Sequence, residues 1–60
     1  MDIKRRREQA NMTQDALAKA ANVSRVAIAR YESGARTPLV SIAIRIARAL
    51  NCTLDELMKD

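Results

Sequence analysis

The side chains of this 60-residue chain best suited to chemistry are arginines, and their spacing serves binding rather than catalysis. Arg25, Val26, Ala29, Arg30 and Ser33 recur at i, i+1, i+4, i+5 and i+8, which is one arc of a helix. The arc holds two guanidinium groups, no carboxylate and otherwise short side chains. A solvated helix face usually mixes both signs of charge. Small residues punctuated by Arg can instead lie close against a groove. Nothing comparable exists for catalysis. The chain has no His, its single Cys52 has no candidate base, and no pair of carboxylates is placed to share a cleft. We therefore expect no catalytic residues and no enzyme activity. One Cys without His also leaves no zinc-ligand set, so neither metal nor cofactor is expected.

The charge distribution points the same way. Residues 1–50 carry ten Lys or Arg against Asp2, Glu8, Asp15 and Glu32. The last ten residues reverse the sign, with Lys59 against Asp55, Glu56 and Asp60. A basic body on so small a domain implies a polyanionic partner. A membrane surface would call for one basic face on a lone helix, whereas these cations come from several elements. No apolar run is long enough to span a bilayer, so no membrane partner is expected.

What must position the arginines is a set of short helices, and their corners are written three times: Asn11-Met12-Thr13, Asn22-Val23-Ser24 and Asn51-Cys52-Thr53. Asn tolerates the left-handed conformation that ends a helix. Thr or Ser two residues later caps the next helix by accepting a bond from an orphan N–H. The apolar residue between them plugs the core. All three also match the N-glycosylation acceptor pattern. No secretory signal precedes them, and Met1-Asp2-Ile3 is followed directly by Lys4-Arg5-Arg6-Arg7, so they are expected to stay unmodified. Cys52 is expected to be a buried, reduced thiol, which fits the cytoplasm.

The spacing predicts an all-α, compact five-helix domain over residues 1–60, with helices at about 2–10, 13–21, 24–32, 38–50 and 53–59. Gly34 stops the third, Thr37-Pro38 supplies a cap and first position for the fourth, and Thr53 with Glu56 forms a capping box for the fifth. Leu17, Ala18 and Ala21 point inward from the second helix, and Ala27, Ile28 and Tyr31 from the third. The fourth is apolar around most of its circumference apart from a stripe of Ser41, Arg45 and Arg48. Such a helix is buried on several sides, as spine, subunit interface or both.

Two charges break the pattern. Arg7 lies between Ile3 and Ala10 on the inward stripe of the first helix. Glu32 lies four residues after Ile28, at a helix C-terminus where the macrodipole disfavours a carboxylate. They either pair or snorkel independently, and the pattern leaves both open.

Thr13-Gln14-Asp15-Ala16-Leu17-Ala18, Asn22-Val23-Ser24, Ile28-Ala29-Arg30-Tyr31-Glu32-Ser33-Gly34 and Leu50-Asn51-Cys52-Thr53-Leu54-Asp55-Glu56-Leu57 together resemble the lambda-repressor-like helix-turn-helix domains, the Xre or Cro/CI type. The resemblance covers about residues 3–58. It implies a helix-turn-helix unit at about 13–32, formed by the second and third helices, with the third entering the major groove of double-stranded DNA. Matched by position, Arg25, Val26 and Arg30 would meet base edges, and Thr13, Gln14, Ser24, Ser33, Arg36 and Thr37 the phosphate backbone. Gln14 would also brace the recognition helix. The family commonly pairs an Arg of the first helix with the Glu ending the third, which implies a structural Arg7–Glu32 ion pair. It usually has Gly where Asn11, Asn22 and Asn51 stand, and a larger aliphatic in place of Ala21.

The chemistry is compatible with each role. Arg forks to guanine O6 and N7, and Val can pack on a thymine methyl. Gln14 and the first N–H groups of the second helix suit a phosphate oxygen. Lys4-Arg5-Arg6-Arg7 is expected to be mostly a solvated face. The expected function is sequence-specific transcriptional regulation, as a homodimeric repressor on a palindromic operator. Ile42 and Met58 are candidates for the dimer contact. The alternative is an antitoxin-like or adaptor module of the same fold that binds a partner protein.

Overall fold

Three asparagines turn the chain. Asn11, Asn22 and Asn51 hold φ values of 57°, 56° and 57°, in the left-handed region that ends helices. After each, an N–H reaches back to a carbonyl five residues earlier: Met12 to Arg7 at 3.1 Å, Val23 to Ala18 at 2.9 Å and Cys52 to Ala47 at 2.9 Å. The asparagine N–H groups donate to the carbonyls of Glu8, Lys19 and Arg48. This is the Schellman pairing, with Asn where Gly is commonest. The hydroxyls then do what their positions require. Thr13 Oγ1 accepts from the Ala16 N–H, Ser24 Oγ from Ala27 and Thr53 Oγ1 from Glu56. Glu56 Oε1 accepts from the Thr53 N–H at 2.9 Å, which completes the capping box.

The computed structural model describes residues 1–59, and Asp60, the last residue of the expected domain, lies outside them. Its elements are α1 (Ile3–Gln9), α2 (Gln14–Ala21), α3 (Arg25–Ser33), α4 (Val40–Ala49) and α5 (Leu54–Met58), with no strand among the described residues. No helix is long and apolar enough to cross a membrane.

The start of α4 departs from expectation. Thr37 and Pro38 do not cap it; Leu39 precedes the first turn with φ −60° and ψ 156°, and no side chain bonds there. Residue 37 is biased toward extended backbone by the proline after it. Leu39 and Val40 are 74% and 67% exposed, so no packing supports an earlier turn either. Residues 36–39 therefore form a strap without regular secondary structure that carries Arg36 and Thr37 past the end of α3.

Leu17, Ile28, Ile46 and Leu57, one from each of α2 to α5, are fully buried, and Ile3 joins them from α1. Each such side chain contributes about 1.5–3 kcal/mol on burial. Ala18, Ala21, Ala43 and Ala47 fill the remaining buried positions, and their small size lets the helix backbones approach closely. Met12, Val23 and Cys52 pack against this cluster half-buried, so the Cys52 thiol is less enclosed than its sequence position implies. Tyr31 and Ala27 are also half-buried rather than central. Ala10 is exposed, contrary to the stripe read from α1: the helix ends at Gln9, and Met12 takes the inward place after the turn.

Candidate nucleic-acid interface

The corner between α2 and α3 is held from behind. Arg45, in the middle of α4, donates from Nε to the Ala21 carbonyl at 2.9 Å and from Nη2 to the Asn22 carbonyl at 2.7 Å. These carbonyls belong to the C-terminus of α2, which carries partial negative charge and orphan acceptors. The sequence pattern assigns Arg45 only to the narrow polar stripe of this helix. Of the two α4 arginines, Arg45 is half-buried and Arg48 exposed, a difference that periodicity alone does not give.

A polar chain runs behind the exposed face of α3. Arg7 grips Glu32 with two bonds, Nε to Oε2 at 2.6 Å and Nη2 to Oε1 at 3.2 Å. Arg7 Nη1 donates to the Met12 carbonyl at 2.8 Å. The two charged side chains are only 11% and 5% exposed. Independent snorkelling is thereby excluded. Gln14 Nε2 donates to Glu32 Oε1 at 3.1 Å, and Gln14 Oε1 accepts from Arg25 Nη1 at 3.4 Å. Burial pushes the Glu32 carboxyl upward, but the bonds from Arg7 and Gln14 and the charge of Arg7 outweigh it and leave the pKa below its ordinary value. The bond to Glu32 raises the pKa of Arg7 in turn, against the effect of burial.

On the outer side of α3 the expected arc is open. Arg25, Arg30 and Ser33 are exposed, Val26 is 48% exposed, and Ala29 is half-buried between them. The inward-turned Glu32 is the helix's only acid, so the outer arc presents no carboxylate. Arg25 and Arg30 lie about 7.5 Å apart along the axis, close to two base-pair steps. An open depression of about 440 Å³ separates α3 from the strap, with Val26 and Arg30 on one side and Arg36, Thr37 and Leu39 on the other. The Arg36 N–H donates to the Arg30 carbonyl at 3.3 Å, which fixes the strap to the end of α3. Ser33 Oγ bridges the same turn, donating to the Arg30 carbonyl and accepting from the Ala35 N–H. Thr13 and Ser24 are exposed at the starts of α2 and α3, each already accepting its cap bond.

The structure thus gathers Gln14, Arg25, Val26, Arg30, Arg36 and Thr37 around α3 and the strap. Of Lys4-Arg5-Arg6-Arg7, expected to be mostly a solvated face, Lys4 and Arg5 are exposed whereas Arg6 and Arg7 are half-buried. Arg5 pairs with Asp2 at 3.3 Å, Arg6 Nη2 donates to the Glu56 carbonyl at 2.8 Å, and Arg7 is in the part-buried pair. Arg6 and Arg7 tie α1 to α5 and α3, because successive side chains point around the helix and not along one side. Ile42, expected at a dimer contact, is half-buried against the core and borders the depression beside α3, whereas Met58 is 56% exposed.

Known proteins share this fold. The helix-turn-helix family model matches residues 3–57. An uncharacterised HTH-type transcriptional regulator of Archaeoglobus fulgidus is 38% identical over 55 residues, spanning 92% of this chain and 78% of that protein. The solution structure of the DNA-binding domain of the P22 c2 repressor superposes with a TM-score of 0.91 at 35% identity, over 95% of this chain and 75% of that one. The crystal structure of the P22 c2 repressor in complex with a synthetic operator gives 0.86 at 34% identity, over 92% and 83%. A matching family model, homologous regulators and a common five-helix fold lead to one assignment: the chain belongs to the lambda-repressor-like helix-turn-helix family, whose members are DNA-binding transcriptional regulators and not enzymes.

Proposed function

We propose that this chain is a sequence-specific repressor that binds a palindromic operator as a homodimer in the cytoplasm, reading bases with Arg25, Val26 and Arg30. The observation that carries the reading is the outer arc of α3: two guanidinium groups and an exposed Val26 on a helix that offers no outward carboxylate. Arg can fork to guanine and Val can meet a thymine methyl. Thr13, Gln14, Ser24, Ser33, Arg36 and Thr37 flank the arc and serve as backbone contacts in this proposal. A single α3 of nine residues reads only a few base pairs, so two symmetric copies supply the missing specificity. The described domain measures 23 × 23 × 18 Å. In this proposal two copies sit side by side with recognition helices about 34 Å apart, one turn of DNA. Met58 is the exposed apolar residue of α5 available to such a dimer.

Selection of bound sites from random duplex DNA tests the proposal. Inverted half-sites centred about one helical turn apart are expected, with two protomers per site at saturation. A single asymmetric site bound by one protomer would reject the homodimer. The exposed Leu39 and Val40 favour one second reading, an antitoxin-like or adaptor module that buries them against a partner protein. Recovery of no preferred sequence would turn the balance to that reading.

A further inference from the structure

We infer that Glu32, acting through Gln14, is a positioning residue for Arg25, so that the part-buried ion pair also aims the base-reading guanidinium. The inference rests on the reading of Arg25 as a base contact. Its starting point is the chemistry of amide orientation. A carboxylate only accepts hydrogen bonds, so the Gln14 atom facing Glu32 is the amide nitrogen, at 3.1 Å. The Gln14 carbonyl is thereby turned to the other side, where Arg25 Nη1 lies 3.4 Å away. An oxygen there attracts the guanidinium, and a flipped amide would repel it.

The remaining links are fixed by the fold. Glu32 is clamped by two bonds from Arg7, and Arg7 by its bond to the Met12 carbonyl. The chain of donors and acceptors therefore runs from the first corner of the fold, across α1, α3 and α2, to the first residue of α3. With Nη1 occupied by Gln14, Arg25 keeps its Nε and Nη2 edge for a two-acceptor contact. A bond of 3.4 Å is long and biases the rotamer without locking it. The benefit is a guanidinium that loses less rotamer freedom when it meets a base.

The test begins with the base pair whose preference Arg25→Ala relaxes. Affinities for the four bases at that pair are then compared for the parent, Gln14→Ala, Glu32→Gln and the double variant Gln14→Ala/Arg25→Ala. Glu32→Gln keeps the shape but adds a donor, which lets the Gln14 amide flip. Both single variants should lose on the order of three- to tenfold of the preference at that pair, the equivalent of one hydrogen bond. The double variant should show no loss of preference beyond Arg25→Ala. In the free protein, the Arg25 Nε–H order parameter should fall in both single variants while that of Arg36 stays unchanged. If Glu32→Gln does not fold, Glu32→Asp, which keeps the carboxylate but shortens its reach to Gln14, takes its place in both measurements. An equal loss of affinity for all four bases, or an unchanged Arg25 order parameter, would overturn the inference. Should Arg25→Ala relax no base pair, the base-contact reading fails instead, and the order parameter alone decides the positioning.

Discussion

Arg7 and Glu32 meet edge to edge, at 2.6 and 3.2 Å, and join α1 to α3 across 25 residues of chain. The exposed pairs Asp2–Arg5 and Asp15–Lys19 are local and solvated, worth at most about 1 kcal/mol each. The Arg7–Glu32 pair is different because removing one partner strands the other in a part-buried site. Glu32→Ala leaves the Arg7 guanidinium without its carboxylate and Gln14 without its acceptor. We expect a loss of about 2–4 kcal/mol in unfolding free energy. Equilibrium urea unfolding measures it, and a midpoint equal to that of the parent would show that the pair contributes nothing.

The same carboxylate sets a pH dependence. Its pKa is lowered in the folded state relative to the ordinary 4.5, so between the two values the unfolded chain binds more protons. Stability from Glu32 is therefore complete above about pH 4.5 and is lost as the pH falls through the folded pKa. Melting temperature followed from pH 6 downward should drop below that point, and more steeply in the parent than in Glu32→Gln. Parallel curves for the two proteins would assign the acid sensitivity to other carboxyls.

Asn22 offers a backbone test. At φ 56° a β-carbon is strained, and Asn offsets part of that strain by its tolerance of the left-handed region. Asn22→Ala should destabilise by roughly 1 kcal/mol, and Asn22→Gly should remain within about 0.5 kcal/mol of the parent. Thermal melts of the two variants give the comparison. If Ala and Gly are equally tolerated, the corner does not depend on the left-handed residue.

The corners were legible in the sequence because each is made by residues two apart, whose conformational preferences act locally. The caps of α2, α3 and α5 and the buried face of α2 follow from the same short-range rules. What the sequence did not show is long-range and polar. Arg45 bonds carbonyls 23 and 24 residues away, and Arg6 reaches a carbonyl 50 residues away. Periodicity assigns an Arg to a face but not to a backbone acceptor. The start of α4 was misread for a related reason. Thr37-Pro38 has good local capping chemistry, yet the exposed Leu39 and Val40 leave that turn with nothing to pack on. Of the candidate site, the arc of α3 was readable, while the Gln14 bridge between Glu32 and Arg25 required the fold.

Arg45 supplies a further prediction. Its bonds to the Ala21 and Asn22 carbonyls satisfy the C-terminus of α2 at the corner that sets the angle between α2 and α3. Arg45→Met keeps the apolar stem and removes both donors. We expect a loss of about 1–2 kcal/mol, against less than about 0.5 kcal/mol for Arg48→Met at an exposed position of the same helix. Equal losses in the two variants would show that the carbonyls are as well served by water.

In the proposed complex, gripping DNA falls to a different arginine from the one that reads it. Arg36 sits exposed on the strap, with its N–H tied to the end of α3 and its side chain bordering the depression. In the proposed complex it neutralises one phosphate per protomer and touches no base. Arg36→Ala should then weaken binding to operator and to scrambled duplex by the same factor. The slope of log affinity against log salt should fall by about 0.9 per protomer, because one fewer counterion is released. Arg25→Ala should do the reverse in kind, weakening operator binding by roughly 1–3 kcal/mol while scrambled duplex changes far less. Titrations of both duplexes at several salt concentrations separate the two effects. If Arg36→Ala relaxed the choice of base, or Arg25→Ala weakened both duplexes equally, reading and gripping would have been assigned to the wrong arginines.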